Sequence, residues 1–83
     1  MPHYFIDTDD DVLAVYDDRG QDFPELKAAR DMAHLILTDM ARQKMPDSDR
    51  RTFKASVRDE SGTVLYVATL TLVGEWKVKN PNS

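Results

Sequence analysis

Leu26, Ala29, Ala33, Ile36, Leu37, Met40 and Ala41 recur at intervals of three and four residues, the spacing that places side chains on one face of an α-helix. A stripe of this kind has to be buried against another element, and the segments on either side of it read as strands. Pro24 sits where a missing N–H costs little, and Asp22 and Glu25 stand three apart in a capping-box arrangement. Arg42 and Lys44 complement the dipole at the other end, and Pro46 disfavours helical geometry at Met45. The spacing predicts a helix over 23–44, roughly 33 Å long at about 1.5 Å per residue.

Before the helix, His3-Tyr4-Phe5-Ile6-Asp7 and Val12-Leu13-Ala14-Val15-Tyr16 are aromatic and β-branched runs separated by the acidic stretch Thr8-Asp9-Asp10-Asp11. They read as two strands joined by a tight turn, with Asp17-Asp18-Arg19-Gly20 supplying the next turn. After the helix, Pro46 to Arg51 form a polar connector. Phe53, Ala55 and Val57 then alternate with Lys54, Ser56 and Arg58, as in a strand with one buried face. Gly62 marks a hairpin turn, and Val64, Tyr66, Ala68, Leu70 and Leu72 share one face of the strand that follows. If that strand continues past Gly74, Trp76 and Val78 keep the same parity.

The expected architecture is therefore α+β in the order ββαββ: a four-stranded antiparallel sheet with one long amphipathic helix on one face. It should form a single domain over 1–83, with 79–83 as a flexible tail. The second sheet face carries Lys54, Arg58, Thr69 and Thr71 but also Leu65, Val67 and Val73. An apolar second side of this kind is expected to be covered.

A chain of 83 residues buries only about 60 to 65 % of the surface its unfolded form exposes. With no cysteine, neither disulfides nor thiolate metal sites can supplement that core. No segment is apolar enough to cross a membrane and the N-terminus has no leader-like pattern, so the expectation is a soluble cytoplasmic protein. The net charge of -4 is uneven: residues 1–40 carry ten acids against three bases, and residues 41–83 five acids against eight bases. A net acidic domain of this kind makes nucleic acid an unfavoured partner.

No catalytic, cofactor-binding or metal-binding residue is assigned. Asp7, Asp9 and Asp11 have the one-three-five spacing of a calcium loop, but Val12 stands where that loop needs Gly and Asp18 where it needs Glu. His3 and His34 lie on different elements and would need at least one carboxylate to complete a zinc site. Gly20, Gly62 and Gly74 are isolated, so no phosphate loop is present, and no serine or threonine stands in a nucleophile motif. The reading is that the chain is not an enzyme and uses no cofactor. Arg50, Arg51 and Lys54 form the one basic cluster that could grip an acidic partner.

Several stretches together carry a likeness: Met1-Pro2-His3-Tyr4-Phe5, Asp17-Asp18-Arg19-Gly20, Phe23-Pro24-Glu25-Leu26-Lys27-Ala28-Ala29-Arg30, and Val57 through Leu65. They resemble a family of short proteins, abundant in rhizobia and related alphaproteobacteria, known only as a domain of unknown function. The resemblance covers residues 1 to about 73 and implies a bacterial cytoplasmic protein, with no activity or site residue to carry over. The first turn departs from it, with Asp11-Val12 where the family often has Asp-Gly. By analogy alone, the order of strand, acidic turn, strand and Ala-rich helix is also similar to HicB-type antitoxins. Those usually add a Pro-Asp-Leu-Pro-Gly-like stretch and a third strand before the helix, and neither is read here.

From these observations the expected role is a small interaction module, a homodimer or accessory subunit. Its candidate interface is Leu65, Val67, Val73 and Trp76. The alternative is a regulatory binder of nucleic acid or a toxin-like partner through Arg50, Arg51 and Lys54.

Overall fold

The computed structural model describes residues 1–43 and 49–79. The expected helix end at Lys44 to Pro46, most of the polar connector and the tail from Asn80 onward lie outside the described residues. The elements run β1 (His3–Asp9), β2 (Ala14–Val15), β3 (Gln21–Asp22), α1 (Leu26–Gln43), β4 (Arg50–Arg58) and β5 (Val64–Val73). The strands form one antiparallel sheet in the order β2-β1-β4-β5, with β3 pairing β1 beside β2.

The α+β class and the single helix on one face agree with the sequence; the strand count differs. The expected second strand, Val12 to Tyr16, is reduced to the two residues of β2, and a further strand, β3, pairs His3 with Asp22 and Tyr4 with Gln21. Residues 16–20 leave the sheet edge between the two and loop out. Asp17 supports that excursion: its carboxylate accepts the N–H groups of Ile6, Arg19 and Gly20 at 3.0 to 3.1 Å. A side chain that satisfies three amides replaces the ladder bonds a continuous strand would have made. A short strand thus does precede the helix, contrary to the sequence reading.

The capping box is also overturned. Asp22 belongs to β3, and its carboxylate bonds the His3 ring rather than the helix N-terminus. Phe23, expected to open the helix, is instead a core residue whose N–H donates to the Pro2 carbonyl at 2.9 Å. The helix begins three residues later, at Leu26.

The core sits between α1 and β4. Ala29, Ala33 and Leu37 of the helix meet Phe53, Ala55 and Val57 of β4, with Phe23 at one end; all are buried. Tyr4, Ile6, Met32, Met40, Tyr66 and Ala68 pack around them, half-buried. Small residues on the helix let it approach β4 closely, since a larger side chain at Ala29 or Ala33 would hold the layers apart.

The two hairpin turns use different chemistry. In the first, Asp11 takes the left-handed conformation (φ 71°), which aspartate tolerates better than most residues because its short side chain bonds locally. The buried Asp10 carboxylate accepts from Val12 and Leu13, and Asp9 accepts from Asp11. In the second, Gly62 holds φ 90° and Asp59 accepts from the N–H groups of Ser61 and Thr63.

Strand β5 ends at Val73, so the expected continuation through Trp76 and Val78 does not form. The Gly74 N–H donates to the Asp49 carbonyl at 2.7 Å, one residue before β4 begins, and the ladder stops there. Trp76 and Val78 lie beyond the sheet, exposed.

Phe53, 2 % exposed, fills the space under the helix. Replacing it by alanine should cost about 3–5 kcal/mol in a urea titration, whereas Leu35→Ala on the exposed helix face should change stability by less than about 0.5 kcal/mol.

Candidate functional site

Strand alternation sends His3, Phe5, Asp7 and Asp9 of β1, and Lys54, Ser56 and Arg58 of β4, to the face away from the helix. The register confirms the neighbours: Phe5 pairs with Arg58, Asp7 with Ser56 and Asp9 with Lys54. This open face has two unlike halves.

The half over β1 and β4 is organised by Arg58. Its Nε donates to Asp7 at 2.8 Å, and its Nη2 donates to the Asp17 carbonyl. Its guanidinium lies between the rings of Phe5 and Tyr16, at 4.4 and 3.9 Å from their centroids. A guanidinium stacked on two rings and bonded in its plane has its charge compensated without water. Asp7 also accepts the Asp17 N–H at 2.8 Å, so one ion pair ties β1, β4 and the loop at 16–20 together. Burial pushes the Asp17 carboxyl upward, but the amides of Gly20, Ile6 and Arg19 and the charge of Arg58 outweigh it and hold it below the usual carboxylate range.

His3 closes the same loop from the other side. Nδ1 faces the Asp22 carboxylate at 2.7 Å and Nε2 faces the Arg19 carbonyl at 2.8 Å. Both partners are acceptors only, so the doubly protonated ring is the state that satisfies both. The bond to Asp22, the Arg19 carbonyl and the Asp22 charge raise the imidazole above its ordinary range, and the same bond lowers Asp22. Gly20 is required beneath this ring: it holds φ 69°, and a Cβ there would lie 2.6 Å from the His3 ring and 2.8 Å from Phe5.

The half over β5 carries no charge: Leu65, Val67 and Val73 lie there with Thr69 and Thr71. Leu65, Val67 and Val73, three of the expected interface residues, are 40, 52 and 60 % exposed. Trp76, the fourth, lies past the end of the strand. The outer edge of β5 carries no partner strand among the described residues. Its sequence, Val64-Leu65-Tyr66-Val67-Ala68-Thr69-Leu70-Thr71-Leu72-Val73, has no charge, proline or glycine. On the helix side of the same strand, the His34 Nε2 lies 2.7 Å from the Tyr66 hydroxyl, at the border of an open hollow of about 440 Å³ that reaches Thr38 and Leu70.

The expected basic cluster is divided. Arg51 turns to the helix side, where its Nε donates to the Asp10 carbonyl at 2.8 Å and its guanidinium lies 3.9 Å from the Asp10 carboxylate. Lys54 lies on the open face beside Asp7 and Asp9, on the border of a second hollow of about 290 Å³. Arg50, at the start of β4, pairs with Val73 and is exposed.

Sequence reasoning missed the role of Arg58 and of His3 with Asp22. The Asp17-x-x-Gly20 spacing was a local signal for an Asx-type turn. The partners of Arg58 are 41 and 51 positions away, and nothing in the sequence pairs them.

Residues 3–71 match the domain of unknown function DUF6894. No curated protein and no solved structure matches the chain.

Arg58→Met leaves Asp7 without its counter-ion in a partly buried site and should cost about 3 kcal/mol in chemical denaturation. Adding Asp7→Asn should recover part of that loss. The His3 bond contributes stability that is fully present below the ordinary imidazole pKa of about 6.5. It is lost as pH rises through the raised folded value. The Asp22 contribution runs the other way, lost as pH falls through its lowered value. Denaturation midpoints should therefore fall on the alkaline side, and His3→Gln should flatten that limb.

With 69 of its 83 residues spanned by the match, the chain belongs to the DUF6894 family.

Proposed function

We propose that this protein is a non-enzymatic bacterial interaction module of the cytoplasm that works by associating with a second copy of itself. The rhizobial and alphaproteobacterial setting is part of this reading. The observation that carries it is β5: ten uncharged residues at the edge of the sheet, all exposed except the half-buried Tyr66 and Ala68, with Leu65, Val67 and Val73 beside Thr69 and Thr71 on the open face. Natural edge strands are normally short or are interrupted by charge, proline or a bulge, because an unprotected edge recruits another strand. Apart from the register shift where it meets Arg58, β5 has none of these devices. No helix among the described residues is long and apolar enough to cross a membrane.

The alternative, a regulatory binder of nucleic acid or a toxin-like partner, draws less support. Phosphate binding needs cations presented together, and strand alternation sends Arg51 away from Lys54. Arg51 is also bonded to the Asp10 turn.

Sedimentation equilibrium tests the proposal. The wild-type chain should sediment at twice its 9.5 kDa mass. Val67→Glu, which places a charge on the exposed face of β5, should stay folded by circular dichroism and weaken the dimer. A monomeric wild type would contradict it.

A further inference from the structure

Given the self-association proposed above, on which this step rests, we infer that two copies join edge to edge, β5 against β5 antiparallel, into one continuous sheet with both helices on the same side. Charge placement selects this arrangement. The β4–β5 hairpin is acidic at its tip, where Asp59 and Glu60 form the turn. At its open end Arg51 is turned to Asp10 and Lys77 is paired with Glu75, which leaves the bases Arg50 and Lys79 against the acid Asp49. Antiparallel pairing lays each acidic tip beside the basic end of the other copy, twice; a parallel pairing would set tip against tip.

Face-to-face packing of the open sides fits less well. It would bury Asp7, Asp9 and Lys54 along with the apolar residues of β5, and desolvating those charges opposes association. Edge pairing satisfies the outward backbone groups of β5, shields its side chains laterally against those of the other copy, and leaves the charged half in water.

Symmetry narrows the register. A two-fold axis that makes two edges antiparallel is perpendicular to the sheet, so each face stays with itself and opposed residues share parity. The axis therefore passes through a residue position, and centring on Ala68 or Thr69 keeps nine residues of each strand opposed. About Thr69, Val67 meets Thr71 and Leu65 meets Val73. About Ala68, Tyr66 meets Leu70 and Val64 meets Leu72. Neither register opposes like charges, and both place β-branched or aromatic side chains against apolar ones.

The absence of native cysteine makes the axis directly measurable. Cysteines introduced one at a time at residues 66 to 71, as full-length chains, are oxidised and run without reductant. A residue on the axis meets its own copy across about 4.5–5.5 Å, close enough for a disulfide after small adjustment. The expected result is covalent dimer concentrated at one position, Ala68→Cys or Thr69→Cys, and little from Ser56→Cys on the open face of β4. In parallel, Glu60→Lys should weaken the dimer about threefold at low salt, and adding Lys79→Glu should restore it. A dimeric wild type that links through Ser56→Cys and at no β5 position overturns the edge geometry while leaving self-association standing. A monomeric wild type removes self-association itself.

Discussion

One helix is too narrow to cover this sheet. An α-helix with its side chains is about 10 Å across, while neighbouring strands are spaced about 4.8 Å apart, so α1 can shield roughly two strands. It is seated over β4, with Ala29, Ala33 and Leu37 against Phe53, Ala55 and Val57. β4 is the strand whose helix-side residues Phe53, Ala55 and Val57 are all apolar and buried. With the helix seated there, β5 is only partly shielded on the helix side and is open at its outer edge.

On the opposite face, coverage comes from side chains and a loop instead of a helix. Arg58 holds Phe5, Asp7, Tyr16 and Asp17 in one cluster, and His3 with Asp22 clamps the base of the same loop. This cluster is satisfied internally, with each charge facing a counter-charge or a hydrogen-bond partner. The protein thus spends its polar side chains on β1 and β4 and leaves β5 bare. The proposed self-association rests on that asymmetry: on this proposal the bare strand is the one that meets another chain.

The helix, its apolar face and the alternation of β4 were legible in the sequence because each is a local period. So were the turns at Gly20 and Gly62, both of which hold positive φ. What was not legible depended on competition between local and distant partners. Asp22 had the spacing of a helix cap, yet His3, nineteen residues earlier, takes its carboxylate. Trp76 had the parity to extend β5, but β4 begins at Arg50 and offers no further residue for the ladder. Arg51 read as part of a basic cluster because sequence proximity hides the alternation that turns it toward Asp10. Of the candidate interface, Leu65, Val67 and Val73 stand exposed on β5, as the alternation implied.

Amide hydrogen exchange along β5 tests the central claim most directly, because the outward-facing N–H groups of this strand report whether the edge is covered. If a second copy covers it, every β5 amide is protected at high protein concentration, and on dilution every second one loses protection while its neighbours, bonded to β4, keep theirs. If the outward amides exchange rapidly at all concentrations, β5 is an open edge in solution and the account is wrong.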